Sequence, residues 1–323
     1  MKLLLAVVLV GATSALVERT EWEAYKEKYN KVYANPIEEL HRMKVYANNK
    51  ALVSRHMKEY AEGKHTFTMA INQFADLTNE EFSARHGGLK VGSTVPHTAH
   101  KMSGKTAPAS VDWRDHGAVT PIPNQGACGS SWAFAATGSL EGAWKLSGHE
   151  LVELSVQQLL DCTGRYGCYG CQGGWMDKAF EYIRDNGGIQ SVSSYPYTAK
   201  NGDCHSDASK NVATLSNWTD VPQGSEAGLL DGVANHGPVS VGIDATRSSF
   251  QMYSGGVYDD PHCHDSQVGH GALVVGYGTE DGKDYWLVKN WWGASWGLDG
   301  YIKMSRNKNN QCGIAAVASY AVV

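Results

Sequence analysis

The sequence predicts an α+β body of two lobes, one helical and one antiparallel β, preceded by a helical leading segment. Three observations predict it. Between residues 131 and 185 apolar residues form short helical runs among Gly- and Cys-rich loops, whereas from Val239 onward β-branched and aromatic runs dominate. All seven cysteines lie after residue 107. Residues 16–106 carry 14 Lys and Arg against 11 Asp and Glu, a net of +3, while residues 107–323 carry 13 against 22, a net of −9. Helices followed by strands build two packed layers with a cleft between them. Opposite net charges favour docking of the leading segment on the body.

The chain opens on Met1-Lys2, the apolar run Leu3 to Val10 and the small residues Gly11 to Ala15. That order of charge, apolar run and small residues predicts a secretory signal over residues 1–15. The run is too short to cross a bilayer, and no later stretch reaches membrane length, so no membrane span is expected. The implied route is secretory, lysosomal or extracellular, where seven cysteines read as disulfides with one left over. Asn217-Trp218-Thr219 is a glycosylation sequon for the same compartment. Neither half has the basic run that nucleic acid requires. Hydrophobic residues make up 42% of the chain and charged ones 19%, enough for an ample core.

From Glu21 to about Tyr60, apolar residues recur at helical spacing and Asn35-Pro36 divides them into two helices. Residues 67–76 alternate like a strand. Residues 86–106, with Gly87-Gly88, Gly92, Ser93 and Gly104, lack periodicity and read as an exposed, cleavable linker. In the body, Val156 to Asp161 and Met176 to Asp185 read as helices. Residues 239–243, 272–277, 285–288 and 301–304 read as strands.

The body is organised around Asn124-Gln125-Gly126-Ala127-Cys128-Gly129-Ser130-Ser131-Trp132, where turn-forming residues run into a helix-compatible apolar segment reaching Leu140. Unpaired N–H groups and the positive end of a helix dipole gather at such a start and stabilise a developing anion. The stretch closely resembles the catalytic segment of papain-family cysteine proteases, with Ser131 where the family carries its nucleophilic cysteine. Glu38, Arg42, Tyr46, Asn49 and Val53 match one prosegment motif of cathepsin L-like zymogens; Met57 departs from it. Asn72, Phe74 and Asp76 match a second, and Ala107 to Arg114 resembles a mature start.

The resemblance implies a papain-like two-lobe fold, with an inhibitory propeptide over 16–106 and a peptidase domain over 107–323. In the family the prosegment packs on the enzyme and the chain after it runs backward through the cleft. The propeptide in cis and an extended peptide are therefore the expected partners, on a monomer. The implied pairings are Cys128–Cys171, Cys162–Cys204 and Cys263–Cys312, which leaves Cys168. Neither Cys168-Tyr169-Gly170-Cys171 nor His262-Cys263-His264-Asp265 is expected to hold a metal, and no cofactor is implied.

By position, Gln125 and the Ser131 N–H would form the oxyanion hole, His270 would be the general base, and Asn290 would orient its imidazole beneath Trp292. Gly129 and Trp132, close to the nucleophile in sequence, and Trp292 are expected to contact the bound substrate. Gly173 and Gly174 would face an extended peptide, Gly174 pairing with its backbone. Met176, Gly242, Val268 and Val317 would line an apolar pocket with Trp175 at its rim, and Gly269 precedes the base.

An active family member forms a thiolate before substrate arrives, because a thiol of ordinary pKa ~8.5 cedes its proton to histidine. A serine hydroxyl does not ionise that way. It needs base assistance within the transition state, and an imidazolium held by Asn is stabilised less than one held by a carboxylate. The expectation is a peptide-binding homologue with little or no proteolysis. Trp291 where a small Ser is usual, and Gly269 where Asp or Asn is usual, are expected to disturb the imidazole further. A weak Ser-His-Asn hydrolase, or a condensation catalyst resembling silicateins, is the alternative. The silicatein likeness is partial, since their Ala and Tyr beside the serine are Ser130 and Trp132 here. An engineered Cys→Ser exchange would explain Ser131 but not Trp291, Gly269 or Cys168.

Overall fold

The computed structural model describes residues 18–91 and 97–323, and the expected signal peptide lies outside them. Helices α1 (Arg19–Lys28) and α2 (Pro36–Ala61) meet at a sequence-coded break. There the Asn35 side chain accepts from the Ile37 and Glu38 N–H groups and Pro36 occupies the first turn. The two helices bury Trp22, Tyr25 and Tyr46 against one another. The motif residues then tie α2 to the following turn. Arg42 pairs with Glu81 at 2.7 Å, and Asn49 Nδ2 donates to the Ala75 and Leu77 carbonyls. Asp76 accepts from Tyr25 and Tyr33 hydroxyls.

The alternation over 67–76 yields a strand only at β1 (Phe67–Met69). Beyond it, side chains compete for the backbone: Asn72 Oδ1 accepts from the Phe74 N–H, which turns the chain. Helix α3 (Asn79–His86) follows, opened by a Thr78–Glu81 capping box.

In the body, β2 (Val111–Asp112) precedes helix α4 (Ser131–Leu146), and α5 (Val156–Cys162) and α6 (Met176–Asp185) pack beside α4. A two-stranded sheet joins β3 (Ile189–Gln190) to β4 (Asn211–Ala213). The remaining strands are β5 (Asn217–Asp220), β6 (Val239–Ile243), β7 (Tyr253–Tyr258), β8 (His270–Glu280), β9 (Lys283–Lys289), β10 (Tyr301–Ser305) and β11 (Ala318–Val322). Helix α7 (Glu226–His236) lies between β5 and β6.

They form one sheet in the order β1-β7-β10-β9-β8-β6-β11-β5, with β2 on β8. Its pairs are antiparallel except β7 with β10, so the expected purely antiparallel lobe carries one parallel pair. The leading segment contributes β1 to the edge of this sheet, adding a strand to the body. Helix α4 is buried from Ser131 to Gly142, as its apolar composition all round demands. Its glycines permit close approach: a methyl on Gly138 would come 2.8 Å from Leu273 Cδ2, and one on Gly142 2.5 Å from Pro238 Cδ. The disulfides are Cys128–Cys171, Cys162–Cys204 and Cys263–Cys312, and Cys168 is buried with a free thiol.

Candidate active site

Ser131 stands at the first turn of α4, fully buried, with Cys128 tied to Cys171 just before it. Its Oγ accepts from the Gly271 N–H at 3.0 Å and donates to the Gly87 carbonyl at 3.4 Å. His270, at the start of β8, has its Nε2 2.8 Å from Asn290 Oδ1 and its Nδ1 2.7 Å from the His86 carbonyl. Two carbonyls of the leading segment thus engage the two reacting side chains. Asn290 Oδ1 also accepts from the Trp291 N–H, which fixes the amide's orientation and makes His270 Nε2 the donor. A neutral ring can donate to only one of its two acceptors. A doubly protonated ring would serve both, yet burial pushes the imidazole down to about 4 even though the Asn290 and His86 contacts favour the charge.

Gln125 is fully buried; its Oε1 accepts from Trp292 Nε1 at 3.2 Å and its Nε2 donates to the Cys128 carbonyl at 2.8 Å. One amide hydrogen remains uncommitted by these bonds. The Trp292 indole lies 5.0 Å from the His270 ring.

Trp291 does not enter the cleft, contrary to the expectation that its bulk disturbs the imidazole. Its indole stacks on Phe134 at 5.4 Å, and its Nε1 donates to the Gly271 carbonyl at 2.7 Å. Gly138 on α4 lies against the indole edge, where a methyl would sit at an ordinary contact distance of 3.5 Å. The substitution therefore anchors the backbone next to His270. At Gly269 a methyl would meet only the Gln267 carbonyl, at 3.9 Å, so no crowding there demands glycine.

The segment following α3 lies in the cleft, as the resemblance implied, which corrects the reading of residues 86–89 as exposed linker; Lys90 and Val91 are exposed. The Gly174 N–H donates to the Gly88 carbonyl and the Gly174 carbonyl accepts from Lys90, both at 2.9 Å, in a parallel bridge centred on Leu89. Leu89 N–H donates to the Gly269 carbonyl at 3.0 Å. A methyl on Gly174 would collide with the Trp132 ring at 2.6 Å and Cys168 Sγ at 2.8 Å. One on Gly173 would reach the Gly88 carbonyl at 2.6 Å, and one on Gly129 the Cys171 carbonyl at 2.6 Å. Gly88, at φ +129°, passes so close to Gly129 that a methyl would lie 2.2 Å from its carbonyl oxygen.

Leu89 fills the expected apolar pocket. A methyl on Gly242 would come 2.5 Å from Leu89 Cδ2, with Val317 Cβ at 3.3 Å and Val268 Cβ at 3.6 Å from the same point. Met176 is buried in the cluster that contains Leu89, and Trp175 packs against it. The resemblance implied that the chain after the prosegment runs through the cleft, but the particular occupants His86, Gly87 and Leu89 were not named; the Gly87-Gly88-Leu89 run was the available signal. Among the described residues no helix is long and apolar enough to cross a membrane, and no group of three His, Cys, Asp or Glu gathers as a metal site.

Residues 107–322 match the papain family cysteine protease model, and residues 22–82 match the cathepsin propeptide inhibitor domain. Cathepsin L of Sarcophaga peregrina is 47% identical over 99% of this chain and 98% of that protein. Cathepsin S of Mus musculus is 48% identical over 93% and 89%. The digestive procathepsin L 3 structure from Tenebrio molitor larval midgut superposes with a TM-score of 0.89 at 44% identity, covering 94% of this chain and 98% of that one. The chain belongs to the papain family of cysteine proteases, as a cathepsin L-like homologue whose inhibitory propeptide is docked on its own body.

Proposed function

We propose that this chain is a peptide-binding homologue that has lost most or all of its family's hydrolysis. The observation that carries the reading is the oxygen at Ser131, whose partners among the described residues are a backbone N–H and a propeptide carbonyl, beside a buried imidazole oriented by an amide. The shorter C–O bond withdraws the nucleophile from a geometry set for sulfur, and a misplacement of that kind can cost on the order of 10²-fold. The pocket holding Leu89, with Gly174 beside it, supports an extended peptide with one apolar side chain as ligand.

In this reading residues 1–15 direct the chain into the secretory route, residues 16–106 are removed, and residues 107–323 act as a monomer in a lysosomal or extracellular setting. Asn217 is the expected glycosylation site. With the propeptide docked, its amide contacts His97 and Thr98. A second reading, a weak serine-type hydrolase, is favoured by the intact Gln125, His270 and Asn290 set.

The test exposes acid-matured protein to a fluorescent peptide with an apolar side chain two residues before a cleavable bond, following binding by anisotropy and products by mass spectrometry. Saturable binding without products supports the first reading. Products that disappear in Ser131→Ala establish the second.

A further inference from the structure

Residues 97–103 are exposed apart from His100, as expected of a linker, yet they pair with the body along a line that shares no residue with the cleft. His97 N–H donates to Asp220 Oδ2 at 2.6 Å, and the His97 ring stacks on Trp218 at 3.9 Å. Asp220 N–H donates to the Thr98 carbonyl and His100 N–H to the Asp220 carbonyl, both at 2.8 Å, forming a parallel bridge at Ala99. The His100 side chain is then buried. Its Nδ1 lies 2.9 Å from the Tyr320 hydroxyl, and its Nε2 is 3.1 Å from Asp231 Oδ2, with side-chain exposures of 1% and 5%. That second contact has ion-pair distance but is too bent for a hydrogen bond. Ser103 completes the arrangement: its N–H reaches Asp231 Oδ2 at 2.9 Å and its hydroxyl reaches Asp231 Oδ1 at 2.6 Å.

A buried carboxylate needs donors, and those Asp231 receives come from Ser103 and, within the body, Asn235. The backbone rungs and the fitted histidine are the marks of a binding site for an extended chain, and its occupant is present in the molecule. We propose that the groove between β5 and α7, floored by Tyr320, is a second segment-binding site, specific for His97 to Ser103, which holds that stretch on the body independently of the cleft and through acidification.

The response to acid follows from the groups that face His100: Asp231 and His236 from α7, Tyr320 from β11, Asp220 from β5, and Lys105 of the segment itself near His236. Burial opposes ionisation of Asp231, but the Ser103 hydrogen bonds and His100 more than offset it and hold the carboxyl below its usual range. A depressed carboxyl contributes in full above its ordinary value and loses that contribution as the pH falls from there through the lowered one, so mild acid leaves the pair with His100 in place. His236 opposes this, since burial and His100 both disfavour its charge. It stacks on Tyr320 and does not contact the carboxylate pair as His100 does.

The inference does not depend on what Ser131 does. Its test is hydrogen exchange of the full-length chain at pH ~7.5 and ~4.5, expressed as protection factors, with the parent compared with His100→Ala and His100→Gln. In the parent, the amides of His100 and Ser103 should keep their protection on acidification within about threefold, while those of Leu89 and Lys90 lose about tenfold or more. Both variants should lower protection over 98–103 by about tenfold or more and leave residues 86–90 unchanged. Equal losses in the two stretches on acidification, unchanged protection of 98–103 in the variants, or a parallel fall over 86–90 would each overturn the proposal.

Discussion

The peptide-binding side of the cleft and its reacting centre depend on different physics. On the binding side, Gly174 and the pocket around Leu89 hold an extended chain by backbone pairing and apolar burial, neither of which involves the atom at position 131. At the reacting centre, proton transfer decides the outcome, and one oxygen in place of sulfur removes the thiolate that the surroundings prepare. The proposed function rests on this difference: one substitution silences the chemistry while the cleft still binds. The comparison is sharpened or broken by the following changes, from the largest expected effect to the smallest.

Replacing Trp291 with Ser removes a buried indole stacked on Phe134 and its hydrogen bond to Gly271. Stability should fall by about 3–5 kcal/mol in denaturant unfolding, with no gain of turnover. A gain would mean that the indole, and not the oxygen, blocks the reaction. Leu89→Ala should weaken docking of the propeptide by about 2–4 kcal/mol while leaving unfolding of the body unchanged, as read by limited proteolysis across a urea series. An unchanged protease sensitivity would show that the apolar pocket contributes nothing to holding a peptide.

Acid should loosen the cleft-bound stretch through His86. Burial, followed by the unfavourable charges of His270, Arg85 and Lys31, pushes its imidazole down to about 4, although the Phe82 carbonyl favours the charge. The rings of Phe74, Phe82 and Trp292 enclose it. The docked state then binds fewer protons than the released one. Docking is at full strength above the ordinary histidine value of ~6.5 and weakens by up to about 3 kcal/mol as pH falls toward 4. His86→Phe should flatten that profile in the same proteolysis assay, and an unaltered slope would remove His86 from the account. Gly269→Asn has room and keeps the backbone hydrogen bonds of Gly269, so stability should stay within about 0.5 kcal/mol of the parent in thermal unfolding.

Much of this was legible in linear sequence because it is coded by short patterns. Asn35-Pro36 forms a cap and Cys128 to Trp132 a helix start, while Gln125, His270 and Asn290 follow from motif spacing together with family resemblance. What escaped depends on partners far along the chain. Trp291 was expected to crowd the imidazole because its own neighbours are cleft residues; its actual partners, Phe134 and the Gly271 carbonyl, lie far away in sequence. His100 sits in an aperiodic stretch, and its burial is decided by Asp231 and Tyr320, more than a hundred residues later. Residues 86–91 lack periodicity because they pair with Gly174 and Gly269 singly, without forming a regular strand. The strand expected over 67–76 stopped at Met69 because Asn72 turned the backbone.

The central claim is tested most directly by restoring sulfur. Ser131→Cys, matured in acid beside the parent and assayed under reducing conditions with the same apolar-residue peptide, should gain thiol-dependent cleavage on the order of 10³-fold or more. A parent that already cleaves at the variant's rate, or a variant with correct fold and intact peptide binding that gains nothing, would contradict it.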